Sequence, residues 1–358
     1  MKIECHVLQN FAPSCLNRDD TNTPKDCEFG GSRRARVSSQ SWKRAVREFF
    51  RAENSVPVGT RTKHLKEQLT ARLIGEATSA EVGFFVEAAY SKMDGKRPDE
   101  TAVLVFISEA EIEAAAACIR QEQSKLKKDY KPDKSVIEAL KAAQPSADIA
   151  LFGRMLAEQP GRNTNAACQV AHAFSTHAVD LEMDFYTAVD DLTKDRDETG
   201  AGMLGTQGFN SACFYRYALL DTAVLQKNLG DDPTAAYAAV EAFLNAFCLS
   251  IPTAKQNSHA AQNLPSFGMF VVRETGVPVS LANAFAQPIR RDDIITESIG
   301  KLAHYYERLN TVYDLYAGAT VALFHDGETD KPLGELLSPH DAGSMANAVE
   351  AVMARIKA

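Results

Sequence analysis

Near the start of the chain, apolar residues recur at the spacing of an α-helix. Trp42, Ala45, Val46, Phe49 and Phe50 occupy positions i, i+3, i+4, i+7 and i+8, which places them on a single helical face. The pattern therefore predicts an amphipathic helix that packs this face against a core.

Polar and glycine residues mark where this helix begins. Ser38 and Ser39 stand where an N-cap belongs, with a side-chain oxygen that accepts a hydrogen bond from a free backbone N–H. Upstream, residues 29–32 (FGGS) are typical of a turn, and they end a long loop that follows the first strand. We expect the glycine turn, the residues after it and the helix start to lie together.

Strands are indicated by alternation and by short apolar runs. Ile3, Cys5 and Val7 alternate with polar residues, which predicts a first strand over 2–8 with one buried face. We expect further strands at 102–108, 167–185, 209–219, 267–273 and 319–324. Helices are expected at 62–92, 109–130, 133–143, 233–251, 292–316 and 338–357. Because strands and helices mix without strict alternation, the pattern favours an α+β fold over a doubly wound sheet.

The composition is that of an ordinary soluble globular protein, with 358 residues, 45% hydrophobic and 24% charged. No apolar run approaches the roughly 20 residues that cross a bilayer, and the first residues do not lead into the apolar stretch of a signal peptide. The seven cysteines are scattered without a CxxC pair, which argues against a disulfide framework or a zinc ribbon. We therefore expect a cytoplasmic protein with reduced thiols and no membrane partner.

The formal net charge of −8 by itself argues against a nucleic-acid binder, but the charge is unevenly distributed. Residues 33–51 contain seven basic residues and a single acid, a charge of +6, which leaves −14 for the rest of the chain. Within this basic stretch, Lys43, Arg47 and Arg51 repeat every four residues. Cations at a helix N-terminus bind phosphates without reading bases. The basic stretch therefore predicts a site for a nucleic-acid backbone.

Several longer motifs occur along the chain in a fixed order. They are residues 14–20 (SCLNRDD), 29–31 (FGG), 33–45 (RRARVSSQSWKRA), 187–192 (TAVDDL), 204–207 (LGTQ), 214–218 (FYRYA), 254–256 (AKQ) and 280–285 (SLANAF). Together they resemble the CasC family, the backbone subunits of the type I-E CRISPR surveillance complex called Cascade. The resemblance spans most of the chain and thins between about 52 and 145 and after about 290.

The resemblance implies an α+β fold with an RNA-recognition-motif-like (ferredoxin-like) palm, a helical finger insertion and a projecting thumb hairpin. The implied boundaries are 1–55 for the first part of the palm, 56–145 for the finger, 146–189 for palm strands, 190–208 for the thumb and 209–358 for the second part of the palm. Copies of such a subunit stack head to tail into a helical filament along the CRISPR RNA. They act with other Cascade subunits and present the guide to target DNA in antiviral defence.

The resemblance also implies a set of RNA-binding residues. The positions that match contacts to the guide backbone are Lys25, Ser38, Gln40, Lys43 and Arg47. Asn17 and Arg18 share a loop that binds or braces the RNA, and Lys255 and Gln256 match a palm loop near it. Gln207 and Phe209 fall where the family inserts side chains beside a displaced base, with stacking on the aromatic ring as the mechanism.

The alternative is a metal-dependent ribonuclease that cleaves target RNA through Asp19 or Asp20, which occupy a loop comparable to that of catalytic backbone subunits in type III CRISPR effectors. Cleavage by a carboxylate also needs a metal or a partner base. Neither is visible in the sequence, and no histidine pair has HxxH spacing. We therefore expect a non-catalytic protein without cofactor or metal, in which the two aspartates hold the loop. A third hypothesis is an acidic scaffold that binds no RNA.

Overall fold

The structure is a computed structural model that describes residues 1–156, 158–188, 203–290, 292–315, 317–327 and 333–358. Its strands are β1 (Lys2–Ser14), β2 (Asp26–Phe29), β3 (Ser32–Val37), β4 (Thr60–Thr62), β5 (Val105–Ile107), β6 (Cys168–Val170), β7 (Ala173–Ser175), β8 (Glu182–Ala188), β9 (Met203–Asp221), β10 (Phe267–Arg273) and β11 (Ala319–His325). Most of the predicted 190–208 thumb, residues 190–202, lies outside the described residues.

Helices of varied length connect these strands. They are α1 (Ser39–Glu53), α2 (Leu65–Arg72), α3 (Ser79–Ala89), α4 (Glu109–Glu122), α5 (Lys134–Ala142), α6 (Ala147–Phe152), α7 (Thr222–Asn228), α8 (Pro233–Leu249), α9 (Gln256–His259), α10 (Ile294–Tyr313), α11 (Gly334–Leu337) and α12 (Met345–Lys357). Within the ranges described above, none of these helices is both long and apolar enough to span a bilayer.

The described strands form one large sheet and one small ribbon. The main path of the sheet runs β11-β10-β1-β9-β7-β3-β2, with β6 and β8 also paired to β9, and β4 pairs with β5 separately. The pairs β1–β10, β10–β11, β2–β3, β3–β7, β7–β9 and β8–β9 are all antiparallel. The predicted α+β class is therefore confirmed.

The chain divides into two compact units. One, which we call the sheet unit, consists of residues 1–46, 170–219 and 243–358; the other, the helical unit, consists of residues 47–169 and 220–242. The helical unit thus contains the 56–145 segment, and it also contains 146–169 and 220–242, which the sequence analysis assigned to the palm. Helices α1 and α8 each have residues in both units.

In the sheet unit, the first strand is longer and more buried than its alternation predicted. Ile3, Glu4 and His6 are all fully buried, so both faces of β1 are covered. The predicted single buried face was wrong because the polar residues have partners inside the protein. Glu4 forms an ion pair with Arg273 of β10, and His6 Nδ1 lies 2.9 Å from the hydroxyl of Tyr215.

In the helical unit, helices α2 to α5 surround an apolar core. Phe85 of α3 and Ile119 of α4 are fully buried there. Capping boxes begin α3 and α4, in which the Thr78 and Ser108 side chains each accept a hydrogen bond from the backbone N–H three residues later. The alanine-rich segment after residue 109 is therefore helical as predicted, although α4 ends at Glu122 rather than at residue 130.

Candidate nucleic-acid interface

The basic stretch does not form one continuous surface. Its first part is β3, which pairs with β2 in a hairpin, and its second part is α1. Gly30 and Gly31 form the turn of this hairpin with φ of +60° and +70°. Six residues of β3 span about 20 Å, so the glycine turn lies far from the helix start. The expectation that the two converge was wrong, because the residues between them form a strand rather than a loop.

Arg34 of β3 is committed to the protein interior. Its side chain is fully buried and donates hydrogen bonds to the carbonyl oxygens of Ser175 (2.8 Å) and Phe285 (2.9 Å). Its neighbour Arg33 points the other way, is exposed, and forms an ion pair with Asp26. Only one of these two adjacent arginines is therefore accessible from solution.

Arg47, a predicted RNA-binding residue, is buried in the helical unit. Its Nε lies 2.6 Å from Oδ2 of Asp148, and its Nη2 donates to the carbonyl oxygen of Gly59 at 3.0 Å. The ring of Phe106 covers the guanidinium at 4.7 Å. With 6% of its surface exposed, Arg47 serves as a structural cation here and does not extend the basic face of α1.

The start of α1 is fixed from two sides. Ser38 Oγ accepts a hydrogen bond from the N–H of Ser41 at 3.3 Å, as the N-cap prediction required. Trp42 is buried one turn further on, and the guanidinium of Arg216 lies 3.6 Å from the centre of a Trp42 ring. Burial lowers the pKa of Arg216 to about 9, and its Nη groups donate to Gln9 and to the carbonyl oxygen of Phe247. The helix start is therefore held rigidly.

The loop after β1 is bound to the same helix start. Asn17 Oδ1 accepts a hydrogen bond from the N–H of Ser38 at 2.9 Å, and its carbonyl oxygen accepts one from the N–H of Lys25 at 2.8 Å. Asn17 thus joins both ends of this loop to α1, and we call residues 15–25 the braced loop. The structure brings the predicted residues Asn17, Lys25 and Ser38 together in one hydrogen-bonded group.

Asp19 organises the tip of this loop. Its Oδ1 accepts hydrogen bonds from the N–H and hydroxyl of Thr21 and from the N–H of Thr23, and its Oδ2 accepts one from the Thr23 hydroxyl. These hydrogen bonds, led by that of the Thr21 hydroxyl, lower the pKa of the Asp19 carboxyl. Arg18 is exposed and donates to Oδ1 of Asn22 at 2.9 Å. Asp20 is exposed.

Several cations lie close to this loop, which itself carries Asp19 and Asp20. Arg36 Nη1 lies 3.0 Å from Nδ1 of His172. Burial lowers the pKa of His172, and the charges of Arg36 and Lys25 lower it further. Burial also raises the pKa of the Cys15 thiol, whereas the nearby Lys255 and Arg18 oppose that rise. The cations Arg18, Lys25, Arg36 and Lys255 are therefore gathered near the loop.

Lys255 reaches the loop from a different part of the chain. Its Nζ lies 3.3 Å from the carbonyl oxygen of Asn22 and 3.5 Å from Oε1 of Gln207. Lys255 and Asn22 have φ of +50° and +69°, the left-handed region that non-glycine residues rarely adopt. The predicted residues Lys255 and Gln207 are thus brought together at the loop tip.

The remaining predicted residues differ in their exposure. Gln40 is exposed and Lys43 is half-buried, both in the first turns of α1. Gln256 donates from Nε2 to the carbonyl oxygen of Pro252 at 3.0 Å, whereas its Oε1 is buried without a hydrogen-bond partner among the described residues. Phe209 is half-buried, and its ring centre lies 6.2 Å from that of His259. All the predicted residues except Arg47 belong to the sheet unit.

Three residues that support this site were not predicted from the sequence. Thr21 and Thr23 hold Asp19, and His259 packs beside Phe209. The run of threonine and asparagine after two aspartates is a turn signal that could have identified the first two. No local pattern identifies His259, because it meets Phe209 only through the fold. Over the residues that the structure describes, no group of three or more His, Cys, Asp or Glu side chains could hold a metal ion.

The chain is similar to known proteins over nearly its whole length. A family model described as CT1975-like protein matches residues 3–350. A solved structure described as a CRISPR RNA-guided surveillance complex, pre-nicking, is 31% identical, with a TM-score of 0.87, covering 99% of this chain and 100% of that chain. Another, described as a CRISPR RNA-guided surveillance complex, is 26% identical with a TM-score of 0.77 and the same coverage. No curated protein matches.

Proposed function

The chain belongs to the family of CT1975-like proteins, and on that premise we propose that it is a CasC-type backbone subunit of a type I-E CRISPR surveillance complex. The observation that carries this proposal is the likeness, 31% identical over 99% of the chain, to a protein described as an RNA-guided surveillance complex. In this role the protein binds CRISPR RNA in the cytoplasm together with other Cascade subunits.

The proposed architecture assigns a role to each part of the chain. The sheet unit is the RNA-recognition-motif-like palm, the helical unit contains the finger, and the ribbon of β8 and β9 is the base of the thumb. Copies of the chain form a helical filament along the guide. The filament presents the guide bases to target DNA in antiviral defence, so that base pairing rather than the protein reads the sequence.

The proposed mechanism is electrostatic. Lys25, Lys43 and Lys255, with Arg18 beside them, neutralise guide phosphates around the braced loop. The start of α1 adds Ser38 and Gln40 as polar contacts and the positive end of its dipole. Contacts to the sugar-phosphate chain carry no sequence information, so any spacer can be bound. The acidic remainder of the chain limits RNA binding elsewhere on the surface.

The region around Phe209 has the chemistry to hold a displaced base. Its ring is half-buried beside His259, and Gln207 lies two residues earlier on the same strand, hydrogen-bonded at 3.4 Å to Asp184. An aromatic ring stacks on any base without sequence preference. The side-chain amide of Gln207 then forms a hydrogen bond with the edge of the displaced base.

The proposal is tested with the intact complex. The chain is co-expressed with its operon partners and a guide, and bound RNA is measured by ultraviolet absorbance and by salt titration. Lys25→Ala with Lys43→Ala is expected to weaken guide retention equally for two unrelated spacers. Lys92→Ala with Lys96→Ala, which removes two exposed lysines of the helical unit, is the matched control. Absence of RNA from the unmodified complex would contradict the proposal and favour an acidic scaffold.

We propose further that the subunit is non-catalytic. Both carboxylate oxygens of Asp19 accept hydrogen bonds from the loop, which supports the bracing role over the ribonuclease alternative. Labelled complementary RNA incubated with the complex and magnesium should remain intact. Regularly spaced cleavage that disappears in Asp19→Asn or Asp20→Asn would instead establish the ribonuclease.

A further inference from the structure

A polar cavity of about 420 Å³ lies in the helical unit. Its volume falls in the range of about 300–1,000 Å³ that is typical of ligand sites. Its wall combines the end of α5, the loop after α6 and the end of α7. The charged residues that line it are Glu111, Lys141, Arg154, Arg162 and Lys227.

Two arginines form the buried side of this cavity and share one acid. Arg154 Nη1 lies 2.7 Å from both carboxylate oxygens of Glu111, and Arg162 Nη2 lies 3.7 Å from one of them. The side chains of Arg154 and Arg162 are 5% and 4% exposed. Arg162 also donates to the carbonyl oxygen of Ala89 at 3.0 Å and lies 4.4 Å from the ring centre of Tyr90, whereas the Nε atoms of both arginines have no hydrogen-bond acceptor among the described residues. One carboxylate therefore balances only one of two buried charges.

Two lysines at the mouth add to this excess. Lys141 and Lys227 are exposed, and no ion pair or hydrogen bond joins either side chain to another described residue. The Lys141 ammonium lies 3.4 Å from the position that a Cβ would take at Gly161, so the glycine leaves it room at the rim. The cavity therefore has four cations and one acid, a net charge of +3.

We propose that this cavity binds a phosphate group. A buried charge is screened far less than an exposed one, so the uncompensated arginine draws an anion inward, while the lysines contact it as point charges. A phosphate, with up to two negative charges and several acceptor oxygens, matches the excess better than a carboxylate does. The phosphate comes either from a free phosphate ester or from a nucleic-acid strand that passes over the helical unit.

The test is calorimetric titration of the full chain with two separate probes. Inorganic phosphate represents the free ester, and a short single-stranded DNA without terminal phosphates represents the strand. At about 4 Å, one exposed contact between opposite charges contributes a factor of roughly five to affinity. Lys141→Ala with Lys227→Ala removes two such contacts and is therefore expected to weaken binding of the probe that occupies the cavity by about 25-fold.

Lys92→Ala with Lys96→Ala is the control, since it removes the same charge from exposed sites of the same unit. Weakened phosphate binding alone assigns a free ester, and weakened strand binding alone assigns a nucleic acid. If neither probe binds, or if the pocket and control variants lose affinity equally, the proposal is overturned. Thermal unfolding checks that each variant is folded, with Lys227→Gln alone as a milder second variant. Guide retention is measured separately, so failure here leaves the function of the sheet unit intact.

Discussion

Lys43 and Arg47 occupy successive turns of α1 and have opposite environments. Lys43 is half-buried in the first turns of the helix, whereas Arg47 is 6% exposed and hydrogen-bonded to Asp148 and Gly59. Arg33 and Arg34 repeat this contrast on β3, with one side chain exposed and the other inside the protein. A basic stretch therefore contains two populations, cations that are buried with partners inside the protein and cations that solvent reaches.

The largest expected effect is on folding and comes from Arg47→Ala. Removing one member of a buried ion pair leaves the other charge uncompensated, which costs about 3–5 kcal/mol in the free energy of unfolding. Urea denaturation of the full chain measures it, with Arg44→Ala, an exposed neighbour, as the control. Arg47→Ala with Asp148→Ala should recover part of the loss. Unchanged stability with reduced guide binding would show instead that Arg47 contacts RNA.

A smaller loss of stability is expected for Arg34→Ala. The buried guanidinium donates to carbonyl oxygens of Ser175 and Phe285. Each such hydrogen bond contributes about 1.5–3 kcal/mol, but burying a guanidinium without an ion-pair partner has its own cost, so we expect a net loss of about 1.5–3 kcal/mol. Arg33→Ala removes only a surface ion pair and should cost less than about 1 kcal/mol. Urea denaturation measures both variants. Comparable losses would show that Arg33 and Arg34 contribute equally to the free energy of unfolding despite their different burial.

Lys43→Ala should have the reverse profile. We expect the free energy of unfolding to change by less than about 0.5 kcal/mol. The slope of log affinity against log salt concentration should become shallower by about 0.7 for each lost phosphate contact on a single strand. Titration of guide binding at several salt concentrations measures the slope, with Lys96→Ala as the control. A loss restricted to one spacer sequence would mean that Lys43 reads bases.

The smallest effect is local and depends on pH. Hydrogen bonds from Thr21 and Thr23 lower the pKa of Asp19, so the carboxylate stabilises the loop above the pKa of an unfolded aspartate, about 3.9. That contribution is lost as the pH falls through the lower pKa of the folded state. Carbon NMR of the Asp19 carboxyl should give a midpoint below that of a free aspartate. A midpoint at or above that of a free aspartate would show that Asp19 does not hold the loop through these hydrogen bonds.

The sequence predicted the elements better than it predicted the partners of charged side chains. The strand expected at 267–273 matches β10, and the helix after Ser38 begins at Ser39, because local hydrophobic spacing and capping decide both. The burial of Arg47 depends on Asp148, which is 101 residues away. No local pattern contains that information, so a helical face that looks basic in sequence is only partly basic in the structure.

The candidate site was predictable to a similar extent. The braced loop and the start of α1 were identified from motifs that resemble a known family, and the structure brings Asn17, Lys25 and Ser38 together. The contact of Lys255 with Asn22 and the packing of His259 on Phe209 join distant segments. Such pairs arise only from the tertiary fold, because no local sequence pattern joins residues so far apart in the chain.

A map of the assembled complex with its guide, at a resolution that shows side chains, tests the central claim most directly. The account predicts guide phosphates within ion-pair distance, about 4 Å, of Lys25 and Lys43, while Arg47 remains paired with Asp148. A map in which the braced loop and the start of α1 pack against protein, with no nucleotide beside them, would contradict it.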